Sequence, residues 1–450
     1  MTLSQMKVST MEMQVFNIFK AYWGITMNLK RVTNAKLIVV LRKKKHVRYL
    51  ICAKFVNRIG SALYNLALLT LAAKQTYSTL AIALVKLFEN LPGFFDPILA
   101  YLTDRETRRL KKAAWLNLFQ VLIYFMIAFL MLRVQMPLAL FVLILFSNVA
   151  SDSIDGYISN MFAPFSKTWI DHSERRAISS LDIVLFSLSL VLGQFLGAAW
   201  LTLFPGQFFS LSLLNALTFA LGLFFIRKIK FDDTVKTLRT VKEHFSIKDF
   251  FKKMKLAYTH MQERHLLKIV WLLAESKMIY ASYLLLLNVA MASNSELRFG
   301  SYAQTLAIWQ FISFIGLILG SFLRISWLEK IKYDQIIILI NITSFLAMIS
   351  CFFELSLVNV LVLKLIGTLL SGYMAPRYYT DLIQQIDEEH LTRVESLNNF
   401  ILLLAAPFGT LQATICLQLF GLRLTWLLEL GILVSFMIGR EIVIYRSKNK

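Results

Sequence analysis

Apolar runs of about twenty residues, the length needed to cross a hydrocarbon core, recur along this chain from residue 49 to residue 444. One such run could be the buried helix of a water-soluble protein. Repeated from end to end, they need an apolar solvent to face. Soluble domains are roughly 45–50% apolar, whereas 57% of this chain is hydrophobic and its mean hydropathy is +0.61. In lipid a segment must satisfy its own backbone donors and acceptors, which leaves helices and closed barrels. The runs are about twice the length of barrel strands and lack their strict alternation. The fold class expected is therefore an all-α integral membrane protein.

Twelve spans are read, near 49–73, 78–102, 114–133, 138–161, 178–204, 208–227, 264–291, 299–323, 335–354, 356–376, 395–419 and 423–444. The charge of the loops orients them. A net charge of +21 would by itself suggest nucleic acid, but the cations lie in short segments between apolar runs. One set of alternate loops holds Arg105, Arg108, Arg109, Lys111 and Lys112, then Lys167, Arg175 and Arg176, then the linker 228–262. The same set continues with Arg324, Lys330, Lys332, Arg377 and Arg393. The other set holds little beyond Lys74, Arg133, Arg298 and Arg423. Lys and Arg accumulate in cytoplasmic loops, so both termini are expected in the cytoplasm, and an odd number of spans would spoil the asymmetry. The expected location is the plasma membrane, multi-pass, in a chain whose dense lysine and few glycines have a bacterial look.

The linker divides the spans six and six. A repeat accompanies that division. Ile170-Asp171, eight residues and Ser180-Leu181-Asp182 recur as Ile386-Asp387, eight residues and Ser396-Leu397-Asn398. The second copy lies 216 residues after the first (386 − 170), and Gly193 and Gly409 keep the same offset. The expected organisation is a cytoplasmic or interfacial extension 1–48, a six-helix bundle 49–227, a basic linker 228–262, a parallel six-helix bundle 263–445 and a cytoplasmic tail 446–450. Val15, Ile18, Phe19 and Tyr22 put one apolar stripe on the extension. It reads as an interfacial helix or as residues upstream of the true start.

This organisation resembles the major facilitator superfamily. The loop Ala100-Tyr101-Leu102-Thr103-Asp104-Arg105-Glu106-Thr107-Arg108-Arg109 carries the likeness. Asp104, Arg105, Arg108 and Arg109 match the family's first-loop signature, while Ala100 and Thr107 stand where the family has glycines. Glu389-His390-Leu391-Thr392-Arg393-Val394-Glu395-Ser396-Leu397 is similar to the loop before the eleventh span in macrolide-efflux-like members. Gly193-Gln194-Phe195-Leu196-Gly197-Ala198 resembles the fifth-span antiporter motif without its proline, and 138–161 lacks the fourth-span arginine of many drug exporters. The resemblance implies alternating access driven by the proton motive force, with no other cofactor, in a protein that works as a monomer. It also implies a cytoplasmic gate at Asp104, Arg105, Arg108, Arg109 and Asp182, with Arg109 its most dispensable member. Without the family name, an acid at a helix C-terminus is unfavourable unless cations offset it, and three arginines follow Asp104.

Ionisable groups inside a membrane are costly and usually line a cavity or pair with each other. Lys54 and Arg58 share a face of the first span, and Lys86 and Glu89 sit three apart in the second. Asp152 and Asp155 occupy the fourth, Glu275 and Lys277 the seventh, and Glu429 the twelfth. Lys54, Glu354 and Lys364 are read near interfaces, and Lys86–Glu89 as either a structural pair or part of the site. Arg58 is deeper, roughly 13 Å along the helix from Tyr49. Asp152 and Asp155 have no cation in their own span. Two carboxylates one turn apart disfavour simultaneous ionisation, which suits groups that take up and release protons. Arg58, Glu89, Asp152, Asp155 and Glu275 are the candidates for proton or substrate coupling.

No P-loop and no His-Glu-x-x-His occurs, and the three cysteines have no metal-ligand spacing. No metal site, enzymatic activity or nucleic-acid partner is expected. The partners expected are membrane lipid and a small amphipathic substrate, cationic or neutral given the surplus of acids. Two other readings use the same residues: a lipid or lipopeptide translocator of the same fold, and a transport-dead sensor that binds a partner through 1–48.

Overall fold

The computed structural model describes residues 44–104, 106, 108–169, 172–229, 258–259, 266–322, 328, 331–385 and 388–448. The expected extension up to residue 43, most of the linker 228–262 and Arg105 lie outside the described residues. Within them the chain is helical almost throughout. In order the helices are α1 (Lys45–Ala73), α2 (Ser78–Glu89), α3 (Pro92–Asp104), α4 (Arg109–Leu130), α5 (Leu138–Trp169) and α6 (His172–Leu203). There follow α7 (Phe208–Lys228), α8 (Leu266–Ser293), α9 (Tyr302–Phe322), α10 (Tyr333–Phe352), α11 (Leu357–Gln385) and α12 (Glu388–Lys448). Among the described residues nine helical segments are long and apolar enough to cross a membrane, with Phe400–Phe436 counted as one.

Two elements depart from the expected spans. The second span, 78–102, is two helices rather than one. Asn90 N–H and Leu91 N–H bond back to Leu87 O and Phe88 O, which tightens the end of α2. Pro92, which has no N–H to leave unpaired, then opens α3. α12 in turn covers both the eleventh and twelfth expected spans. It is interrupted at Gly421, whose φ of 73° and ψ of 175° are closed to residues with a side chain.

Pairing follows the same order in both parts of the chain. α1 packs on α6 and α7, α4 on α7, and α3 on α5. Correspondingly α8 and α10 pack on α12, and α9 on α11. Between the two parts, α6 meets α9, and α2 meets both α8 and α12. Lipid supplies no hydrophobic drive between helices, so association depends on close packing and small residues. A Cβ added at Gly193 would lie 2.5 Å from Ile59 O and 2.7 Å from Ala62 Cβ of α1. At Gly409 it would lie 2.1 Å from Met278 O of α8. Ala62 and Met278 are themselves 216 residues apart (278 − 62), so the repeat in sequence is also a repeat in packing.

The surface is apolar where soluble proteins are polar. Trp115, Phe129, Leu203 and Leu419 are 64–73% exposed, as lipid-facing side chains are. In the interior of the first part Tyr64 packs edge to face on Tyr124, ring centroids 4.9 Å apart, and Tyr124 stacks on Phe219 at 5.4 Å. The two parts also touch at the end that bears the turns near 204–207 and 294–301. There Gln304 Nε2 donates to Thr202 Oγ1 at 3.1 Å, and nearby Phe195 and Phe311 pack edge to face at 5.6 Å.

Candidate functional site: a charge cluster and two cavities

The charged face of α1 packs on α6 and lies within electrostatic reach of Asp155 on α5. Arg58 donates through Nη1 to Asp182 Oδ1 at 2.9 Å and through Nη2 to Oδ2 at 3.4 Å. Its guanidinium also lies 5.1 Å from the centre of the Phe186 ring. Lys54 and Asp155 are electrostatic neighbours of this pair. Arg58, a candidate for coupling, and Asp182, a candidate for the cytoplasmic gate, are thus joined to each other, 124 residues apart in sequence.

Asp152 accepts from Asn148 Nδ2 at 3.0 Å, and Asn148 Oδ1 accepts from the Tyr124 hydroxyl at 3.0 Å. Asp155 and Glu89 are its acidic neighbours. No ion pair joins Asp152 or Asp155 to a described cation. Close by, Gln120 Oε1 and Ser153 Oγ are buried without a hydrogen-bond partner among the described residues. Such atoms carry a desolvation cost until something binds them. Glu89 pairs with Lys86 at 2.8 Å on the wall of a cavity of about 170 Å³ between the two parts of the chain. Asn65, Asn148, Gln194, Asn288 and Gln310 line the same cavity. Asn148 therefore touches both the cavity and Asp152. Glu275 is half-buried on α8 and lines neither this cavity nor the second one described below.

In the loop after α3 the described ion pair is Glu106 with Lys112. The Tyr157 hydroxyl lies 2.9 Å from Lys112 Nζ and 3.4 Å from Glu106 Oε2. Arg109 donates to Glu106 O at 3.0 Å and to Met161 O at 3.4 Å, tying the loop to α5. The arginine read as most dispensable thus anchors two segments. Arg108 is exposed at the start of α4, and Asp104 ends α3. Glu106 and Lys112 were not singled out as gate residues. They stand six apart across a loop, where no helical periodicity flags a contact.

A second cavity, of about 450 Å³, lies among α8, α9, α10 and α11. Lys364 was read as lying near an interface, yet it faces this cavity. Its ammonium donates to the Tyr280 hydroxyl and sits 4.4 Å from the Tyr280 ring centre and 5.0 Å from that of Trp309. Lys364 is half-buried, and cation–π contacts contribute from about 0.5–1 kcal/mol at exposed sites to about 2 kcal/mol or more where desolvated. Glu429 of α12 was noted only as intramembrane. It is 1% exposed, its Oε1 has no hydrogen-bond partner among the described residues, and Gln412 and Ser282 are its polar neighbours. A lone acid in a long apolar run gives no sequence signal of such burial.

No protein-family profile and no curated protein sequence matches the chain. Solved structures do. A POT family transporter in complex with 5-aminolevulinic acid aligns with a TM-score of 0.64 at 14% identity, over 88% of this chain and 96% of that one. The nucleoside transporter NupG aligns at 0.61 and 12%, over 87% and 98%. A bacterial homologue of the iron transporter ferroportin, in its inward-facing state, aligns at 0.57 and 14%, also over 87% and 98%. At these identities the likeness is one of fold, and the protein is a multi-pass helical membrane protein with the fold of solute transporters.

Proposed function

We propose that the chain is a secondary transporter of the major-facilitator type that couples proton movement to export of an amphipathic small molecule by alternating access. Its unit would be two parallel six-helix bundles, 49–227 and 263–445, joined by a basic linker, with both termini in the cytoplasm of a bacterial cell. The observation that carries the reading is Asp152, with Asp155 one turn away, hydrogen-bonded to Asn148 on the wall of the cavity between the two parts.

Two acids without an ion-pair partner among the described residues, close to the Arg58–Asp182 pair, form a charge set that can hold one proton more or one fewer. With Asp155 neutral, Arg58 and Lys54 are balanced chiefly by Asp182. With Asp155 charged, it competes for the same cations. Loading a proton thus changes which helices are bound to α1, since Asp155 is on α5 and Asp182 on α6. The broken second span gives the rocking motion a joint, and contact at the Thr202–Gln304 end is consistent with opening toward the basic loops. The likeness of 389–397 to macrolide-efflux-like members, and of 193–198 to the fifth-span antiporter motif, favours export.

The test reconstitutes purified protein in vesicles with a trapped pH dye and imposes gradients of lipophilic cations, macrolides and lipid analogues. Proton movement should need both a substrate and the aspartates, and should vanish in the Asp152→Asn/Asp155→Asn double variant while insertion is kept. Undiminished coupled movement by that variant would sink the assignment. Silence of folded wild-type protein across the panel would favour the sensor reading, checked by recovering partners with residues 1–48.

A further inference from the structure

We propose that the cavity among α8–α11 is a binding site for the anionic head of an amphipathic molecule, with Lys364 as its charge partner. The inference rests on the transporter reading and names the substrate class, in place of the cationic or neutral compound that the acids alone suggest. The acids Glu89, Asp152 and Asp155 belong to α2 and α5, where Lys86, Lys54 and Arg58 accompany them, whereas this cavity is lined by the cations Lys277 and Lys364 with no Asp or Glu among its described lining residues.

Geometry orients a ligand there. Lys364 Nζ donates to Tyr280 Oη, so that oxygen is an acceptor and the Tyr280 proton remains free to donate. A carboxylate or phosphate beside Lys364 would thus find an ammonium and a hydroxyl donor converging on it, and charge-assisted bonds of this kind are the strong ones. Lys277, exposed on α8, adds a second positive charge to the same cavity. The rest of the lining includes Leu273, Leu317, Ile337 and Leu363, which suit an acyl or alkyl tail. Tyr280 and Gln310 line this cavity and the cavity of Glu89 as well, so a ligand held at Lys364 lies next to the proposed proton site. A soluble amphiphile and an anionic phospholipid share this chemistry.

The test places purified full-length protein in phosphatidylcholine nanodiscs and measures radiolabelled decanoate binding above empty discs. Saturable binding is expected, displaced by decyl phosphate but not by decyltrimethylammonium or decanol. Lys364→Met should weaken it at least about tenfold, the loss of one charged hydrogen-bond partner. Lys364→Arg should keep most of it, and Lys277→Met should weaken it less. If phosphatidylglycerol in the discs abolishes decanoate binding, the anion is a lipid head group; unchanged binding assigns it to a soluble amphiphile. Wild-type affinity in a Lys364→Met protein of unchanged melting temperature would overturn the proposal, as would displacement by the cation or no saturable binding at all. Binding needs no transport: proton-coupled movement of a lipophilic cation without anion binding would sink this site alone. Anion binding in a protein that moves no protons would sink the coupling instead.

Discussion

Removing either partner of the Arg58–Asp182 pair should destabilise the first part of the chain, and removing both should cost less than the sum. The geometry sets the size. One of the two bonds, at 2.9 Å, is well formed, and the other, at 3.4 Å, is long. A hydrogen bond between charged groups contributes about 1.5–3 kcal/mol. The two side chains are 20% and 36% exposed, so solvent screens part of the interaction and leaves the other part when a partner is lost. A coupling of about 2 kcal/mol is expected, well above the ~0.3–0.5 kcal/mol at which independent sites add. For a unit of 150–250 residues, about 2–4 °C of melting temperature corresponds to each kcal/mol. Arg58→Met and Asp182→Asn should therefore each melt about 4–8 °C lower, and the double variant no lower than the worse single. A thiol-reactive dye can follow the melt, because Cys351 is buried and Cys52 and Cys416 are half-buried. Additive single costs would show that the contact carries no energy and would remove the ion-pair switch from the mechanism.

The repeat in packing makes a second prediction. Gly409→Ala should destabilise by about 1–3 kcal/mol and Gly193→Ala by less, because the closest backbone oxygen is 2.1 Å away in the first case and 2.5 Å in the second; equal or absent melting shifts would refute the close approach. A third concerns the contact between the two parts. Thr202→Cys with Gln304→Cys, at positions whose native side chains bond at 3.1 Å, should be cross-linked in membranes by a short bis-methanethiosulfonate reagent and stop transport until reduced. Full transport by the cross-linked protein would show that this end never opens.

Much of the architecture was legible in the sequence because lipid leaves few choices. A segment of about twenty apolar residues in a bilayer must bond its own backbone, so length and hydropathy specify a helix and nearly its ends. α7, read as 208–227, is Phe208–Lys228, and α1, read as 49–73, is Lys45–Ala73. The 216-residue offset of Gly193 and Gly409 likewise marked two positions that prove to do the same packing work. The candidate site was legible only in its cast. That Asp152, Asp155, Glu89, Arg58 and Asp182 are unusual follows from their presence in apolar runs. Which of them meet depends on the rotation of each helix about its own axis and on its neighbours, and spacing along the chain carries neither. Tertiary structure thus decided that Arg58 holds Asp182 rather than an aspartate of α5, and that Lys364 is caged by Tyr280 and Trp309 instead of reaching an interface.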